Sequence, residues 1–129
     1  MTRSLKILIA DDEEIVRMTI LEFLENLGHR VDEATDGRRA LAAIQSADYD
    51  LALVDVRMPG LDGLAFLTAS REVRPRLRVV LISGHGDPGM VEQATELGAA
   101  RFLHKPFRLT ELEALVFEVC PDRETGPEG

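Results

Sequence analysis

The chain has 129 residues, 45% of them hydrophobic and 29% charged, which suits one domain with a buried core. With 15 basic and 23 acidic side chains it carries a formal net charge of -8 and shows no basic stripe, which argues against nucleic-acid binding by this domain and against attraction to an anionic membrane. The lone Cys120 excludes an internal disulfide and fits a reducing cytoplasm, and no apolar run reaches the length of a secretory signal or a membrane span.

Apolar runs and amphipathic segments alternate five times. Leu5–Ala10 predicts the first strand. Val16, Ile20, Phe23, Leu24 and Leu27 recur at helical spacing over about 13–27, and Gly28 stands where that helix ends. Arg30–Ala34 predicts a second strand, short and polar as an edge strand is. A helix over about 38–46 turns Leu41 and Ile44 inward. Leu51–Val54 predicts the third strand, 64–72 the third helix and Arg78–Ile82 the fourth strand. The fourth helix, about 88–97, opens on a proline that a first helical turn accepts and closes on Gly98. Arg101–His104 is the fifth strand. The fifth helix covers about 109–120, with Leu112, Leu115, Val116 and Val119 apolar and Cys120 a small buried residue late in it.

The runs in strands 1, 3 and 4 are nearly continuous in apolar residues, as expected of strands covered on both faces. Strand–helix alternation with crossover helices implies an α/β fold, a doubly wound parallel sheet with helices on both sides, occupying residues 1–120. From 121 to 129 the sequence, PDRETGPEG, reads as a polar tail or the start of a linker.

Four strands lead into residues able to do chemistry: Asp11 and Asp12 after the first, Asp55 after the third, Ser83 after the fourth and Lys105 after the fifth. Parallel strands aim their carboxyl ends at one edge of an open sheet, where such sheets bind ligands. Acids also cap helix N-termini, which would account for one or two of Asp11, Asp12, Glu13 and Glu14. Two adjacent acids directly after a buried strand point further, to a divalent cation, since Mg2+ takes only one or two carboxylates plus water and phosphate oxygens. A third carboxylate, Asp55, beside them is repulsive without a cation. A carboxylate can attack phosphorus and form an aspartyl phosphate, and the turn residues Met58–Gly63 leave Asp55 open. Ser83 would donate to a phosphoryl oxygen, and Lys105, extended before Pro106, would pair with Asp55 and then with that group. His29, His85 and His104 show no zinc spacing and read as surface or loop histidines, His85 lying two residues past Ser83. Neither a P-loop nor a GxGxxG after the first strand is present.

Together ILIADDE, LVDVRMPGLDG, VVLISGHGD and FLHKPF closely resemble the response-regulator receiver domains of two-component signalling, over about Leu5 to Val119. The resemblance implies a flavodoxin-like sheet in the order 2-1-3-4-5. It implies Asp55 as phosphoacceptor from a histidine kinase or phosphotransfer protein. Mg2+ (or Mn2+) would be held by Asp12, Asp55 and the backbone carbonyl of Arg57, with Asp11 acting mainly through water. Lys105 would contact the phosphoryl group. Ser83 takes the place of the switch hydroxyl and Phe102 that of the switch aromatic, keeping the ring without the tyrosine hydroxyl. Arg57 and His85 stand where the family tunes attack of water on the acyl phosphate. The fourth helix, fifth strand and fifth helix would form the output face and a possible homodimer interface. Such a domain is a signalling phosphoacceptor that catalyses only its own phosphotransfer and dephosphorylation.

Two other readings share parts of this pattern. A small aspartate-nucleophile phosphatase also uses Mg2+, but commonly places an acid two residues after the nucleophile, where this chain has Arg57, and the chain lacks room for a substrate cap. A flavin module of the same layers would want helix N-termini and hydroxyls without three carboxylates. A degenerate receiver acting only as a docking module gains no support, because all five core residues are present.

Overall fold

A computed structural model describes residues 4–84 and 88–121. The order is β1 (Lys6–Ala10), α1 (Glu14–Asn26), β2 (Arg30–Ala34), α2 (Gly37–Ser46), β3 (Leu51–Asp55), α3 (Gly63–Val73), β4 (Arg78–Ser83), α4 (Pro88–Glu96), β5 (Arg101–His104) and α5 (Leu109–Val119). The strands form one parallel sheet in the order β2-β1-β3-β4-β5. The chain steps outward from β1 to β2, then returns past β1 to β3. That reversal opens a crevice beyond the carboxyl ends of β1 and β3.

Side chains alternate across each strand, so each central strand feeds two cores. Leu8, Ala52, Val54, Val79 and Leu81 meet Ile44, Phe66, Leu67 and Ala94 from α2, α3 and α4 on one face. Ile7, Ile9, Leu51, Leu53, Val80 and Ile82 meet Ile20, Leu24, Leu112, Leu115 and Val116 from α1 and α5 on the other. Two-sided burial is why these strands read as unbroken apolar runs. β2, covered less, keeps mostly exposed polar residues at the edge.

Several expectations shift. β3 and β4 extend to include Asp55 and Ser83, because the backbone ladder continues past the apolar run: Asp55 pairs with Ile82 and Ser83 with His104. α2 and α3 start one residue early, at Gly37 and Gly63, because Asp36 and Asp62 accept hydrogen bonds from Arg39 and Ala65 N–H and cap them. A β-carbon on Gly37 would lie 1.8 Å from the Leu61 carbonyl oxygen, so only glycine lets α2 close on the loop below β3. Leu27 is exposed rather than inward, since α1 ends at Asn26 and Gly28 reverses the chain with φ 98°. His29 is buried, not a surface histidine: its Nδ1 accepts the Leu5 N–H at 3.1 Å, tying the entry of β1 to the α1–β2 turn. His85 and residues 122–129 lie outside the described residues. No helix among the described residues is long and apolar enough to cross a membrane.

Candidate phosphoryl and metal site

The carboxyl edge of the sheet gathers acids from two adjacent strands. Asp11 follows β1 and is buried, Asp12 projects into solvent, and Asp55 closes β3, also buried. One carboxylate oxygen from each lies within 4.8 Å of the other two. Lys105, one residue past β5, sends Nζ between them, 2.7 Å from Asp55 Oδ2 and 3.3 Å from Asp11 Oδ2. The Lys105–Pro106 bond is cis, and the Lys105 N–H donates to the Ser83 carbonyl, extending the β4–β5 ladder by one rung.

Backbone groups hold the remaining oxygens. Arg57 N–H donates to Asp55 Oδ1 and Glu13 N–H to Asp11 Oδ1, each at 2.8 Å. Both carboxylates therefore turn back on their own loops, and their rotamers are set before anything binds. Gly63 permits this: a β-carbon there would lie 2.7 Å from the Asp55 carbonyl oxygen, so α3 starts directly beneath the acid.

The charge balance favours a cation. Burial, more than the Asp55 charge, pushes the Asp11 carboxyl up to about 6, against the opposing pull of the Glu13 N–H and Lys105. Burial lowers the Lys105 ammonium, but its hydrogen bonds to Asp55 and Glu13 outweigh that and keep it well above the ordinary lysine range. One ammonium thus faces three clustered carboxylates and a fourth at Glu13. An all-oxygen group with this surplus charge fits a hard divalent ion such as Mg2+.

Ser83 is buried at the end of β4. By strand alternation it shares a face with Leu81, Phe102 and His104, the face packed by α4, whereas Asp55 and Lys105 fall on the other parity. Phe102 is half-buried, its ring centroid 5.0 Å from that of His104 at 47°. Arg57 is exposed beside Asp55.

Two residues near the site have roles that the sequence pattern does not signal. Glu13 reads as one acid in a run, yet its Oε1 lies 2.7 Å from Lys105 Nζ, which holds its carboxyl below the usual range. Arg17, with a side chain only 12% exposed, donates from Nη1 to the Asp11 carbonyl and from Nε to Glu33, pinning the β1–α1 loop to β2. A cation one helical turn past an acid was the only signal for Arg17. Beside Lys105 a groove of about 580 Å³ runs between α1 and the β5–α5 loop, lined by Glu13, Ile15, Val16, Phe107 and Leu109 among others.

Residues 7–117 match the family model described as Response regulator receiver domain. The chain is 31% identical over 116 residues to sporulation initiation phosphotransferase F of Bacillus subtilis, covering 90% of this chain and 94% of that protein. It is 37% identical over 121 residues to the probable transcriptional regulatory protein NarL of Mycobacterium tuberculosis, covering 92% of this chain but 56% of that protein. It therefore spans nearly all of one relative and about half of the other. The crystal structure of the chemotaxis protein CheY4 of Vibrio cholerae superposes with a TM-score of 0.85 at 29% identity, covering 91% of this chain and 99% of that one.

Proposed function

The chain belongs to the response regulator receiver family of two-component signalling, and from that premise we propose that Asp55 is its phosphoacceptor. Receiver domains are signalling phosphoacceptors rather than turnover enzymes. The observation that carries the assignment is the position of the Asp55 carboxylate, buried among Asp11, Asp12 and Lys105 at the sheet's carboxyl edge.

The donor is a phosphohistidine on a sensor histidine kinase or phosphotransfer protein. The donor P–N bond breaks, its electron pair leaving with the imidazole, as a bond forms between an Asp55 carboxylate oxygen and phosphorus. The Arg57 N–H and Lys105 hold Asp55 on opposite oxygens, which limits the carboxylate to few orientations and lowers the entropy cost of attack. Lys105 then follows the new charge onto a phosphoryl oxygen. Asp12, Asp55 and the Arg57 carbonyl, with Asp11 mainly through water, would hold Mg2+ or Mn2+, which when bound would neutralise charge on the transferring group. The domain catalyses only this transfer and its own dephosphorylation, whose rate Arg57, two residues past Asp55, and His85, two residues past Ser83 in the sequence, would tune.

The phosphoryl dianion draws in the Ser83 hydroxyl. Ser83 and Phe102 share the face beneath α4, so vacating one space lets the ring enter it. The α4-β5-α5 face changes as a result and serves as the output surface and homodimer interface. Phe117 on α5, 60% exposed, supplies an apolar group near it, and Arg101 pairs with Glu118 there. The domain works in the cytoplasm and, with a formal net charge of -8, does not itself contact DNA.

Incubation with acetyl phosphate, with and without Mg2+, tests the assignment by intact mass. One Mg2+-dependent phosphoryl addition, lost in Asp55→Ala, is the expected result. No addition to the folded protein from acetyl phosphate or from a phosphorylated kinase overturns it.

A further inference from the structure

Glu13 occupies the N-cap position of α1 but makes no capping hydrogen bond with its side chain. Asp, Asn, Ser and Thr are the side chains that cap well. The Glu13 carboxylate turns instead across the sheet edge to Lys105, with Oε1 2.7 Å from Nζ. Its backbone N–H meanwhile donates to Asp11 Oδ1. One residue thus touches both the buried acid and the ammonium of the site.

An ammonium has three N–H donors. Those of Lys105 are committed to three carboxylates: Asp55 and Glu13, each at 2.7 Å, and Asp11 at 3.3 Å. A phosphoryl oxygen arriving on Asp55 must displace one of them. Asp11 and Asp55 are buried, and stripping either of its cation is costly. The Glu13 side chain is 61% exposed, and water can take the place of the lysine at small cost. Glu13 is the partner that gives way.

We propose that Glu13 is a positioning residue that anchors Lys105 in a resting place and slows phosphoryl transfer to Asp55 until its carboxylate releases the ammonium. This rests on Asp55 as the phosphoacceptor. Glu13 also lines the groove beside Lys105, so a group seated there has direct access to the anchor.

Phosphoramidate with Mg2+ is a suitable probe. Its P–N bond breaks, the electron pair and a proton leaving with ammonia, as the Asp55 O–P bond forms. Single-turnover rates are read by intact mass for the unaltered protein, Asp55→Ala, Glu13→Gln, Glu13→Asp and Glu14→Gln, with a thermal melt of each. Glu13→Gln and Glu13→Asp are both expected to speed labelling by about threefold or more, the size of an exposed ion pair expressed as a rate. Aspartate keeps the negative charge but is one methylene too short for Lys105 and able to cap α1, so it also raises the melting temperature. Glu14→Gln removes the same charge one residue on and leaves the rate within about twofold.

Slower or unchanged labelling in Glu13→Gln overturns the proposal. So does an equal gain in Glu14→Gln, which would assign the effect to net charge, or a Glu13→Asp rate equal to that of the unaltered protein. A lack of labelling at Asp55 in the unaltered protein, from phosphoramidate and from a phosphorylated kinase alike, removes the phosphoacceptor reading and this inference with it. Normal labelling at Asp55 with no effect at position 13 removes the inference alone.

Discussion

Gly63 sits so close beneath Asp55 that a β-carbon on it would lie 2.7 Å from the Asp55 carbonyl oxygen and 2.7 Å from the Val56 α-carbon. The start of α3 and the end of β3 are therefore in backbone contact, and the loop that follows Asp55 has no room to settle elsewhere. Gly63→Ala is expected to destabilise by about 1–3 kcal/mol through overpacking, although alanine is ordinarily the better helix former. Urea denaturation measures this, and acetyl phosphate labelling should slow with it. A gain in stability would show that the loop yields freely.

Lys105 is shared by three acids, so its removal separates cation binding from phosphoryl transfer. Lys105→Ala is expected to bind Mg2+ at least as tightly, because a competing positive charge has gone, while labelling of Asp55 slows by about 10- to 100-fold. Calorimetric titration with Mg2+ and intact-mass kinetics check the two halves.

Asp11 links cation binding to pH. Its carboxyl stands at about 6 in the folded protein against an ordinary 3.8. A raised acid contributes stability below its ordinary value, and that contribution is lost as pH rises through the folded value, because the ionised form is the strained one. A divalent cation relieves that strain. Added Mg2+ should raise the melting temperature clearly at pH 7.5 and little at pH 5, where Asp11 holds its proton. EDTA should reverse the gain. An equal shift at both pH values would show that the Asp11 proton is not linked to cation binding.

His29 gives an independent pH effect. Burial lowers its imidazole below the ordinary 6.5, and neutral Nδ1 accepts the Leu5 N–H. The folded state therefore binds fewer protons there than the unfolded chain. Stability from this site is full above the ordinary value and declines as pH falls below it. Between pH 7.5 and 5.5 the urea midpoint of the unaltered protein should fall more than that of His29→Gln. Parallel declines would exclude His29 as the source.

Phe102→Ala removes a half-buried ring in tilted contact with His104. It is expected to cost about 1–3 kcal/mol, less than a fully buried phenylalanine. Asp55 labelling should persist, while any phosphorylation-dependent change at α4-β5-α5, read by hydrogen exchange, should shrink. Loss of labelling would place the ring in the transfer step itself.

Much of the site could be read along the chain because strand ends carry it. Asp11, Asp55 and Ser83 each mark the end of an apolar run, and burial on both faces of β1, β3 and β4 leaves a polar residue nowhere to stand but the edge, while Lys105 is marked by its place directly after the short, half-exposed β5. Glu13 and Arg17 could not be read this way. Each acts through a partner distant in sequence, Lys105 for one and Glu33 for the other, and no periodicity carries that pairing. The role of His29 depends on the α1–β2 turn folding back over the first residue of the core, a contact with no local signature.

By itself the sequence determined the α/β alternation, the two-sided core and the edge where the acids gather. These follow from repeating patterns of side-chain hydrophobicity, which act over a few residues and survive any detail of packing. The tertiary structure alone decided which oxygen of Asp55 meets Lys105, that Lys105 is divided among three acids, and that Ser83 and Phe102 share the α4 face. Those depend on strand register and on distances of about 3 Å between residues far apart in the chain, where hydrogen bonding and charge fall off too steeply for pattern to stand in for position.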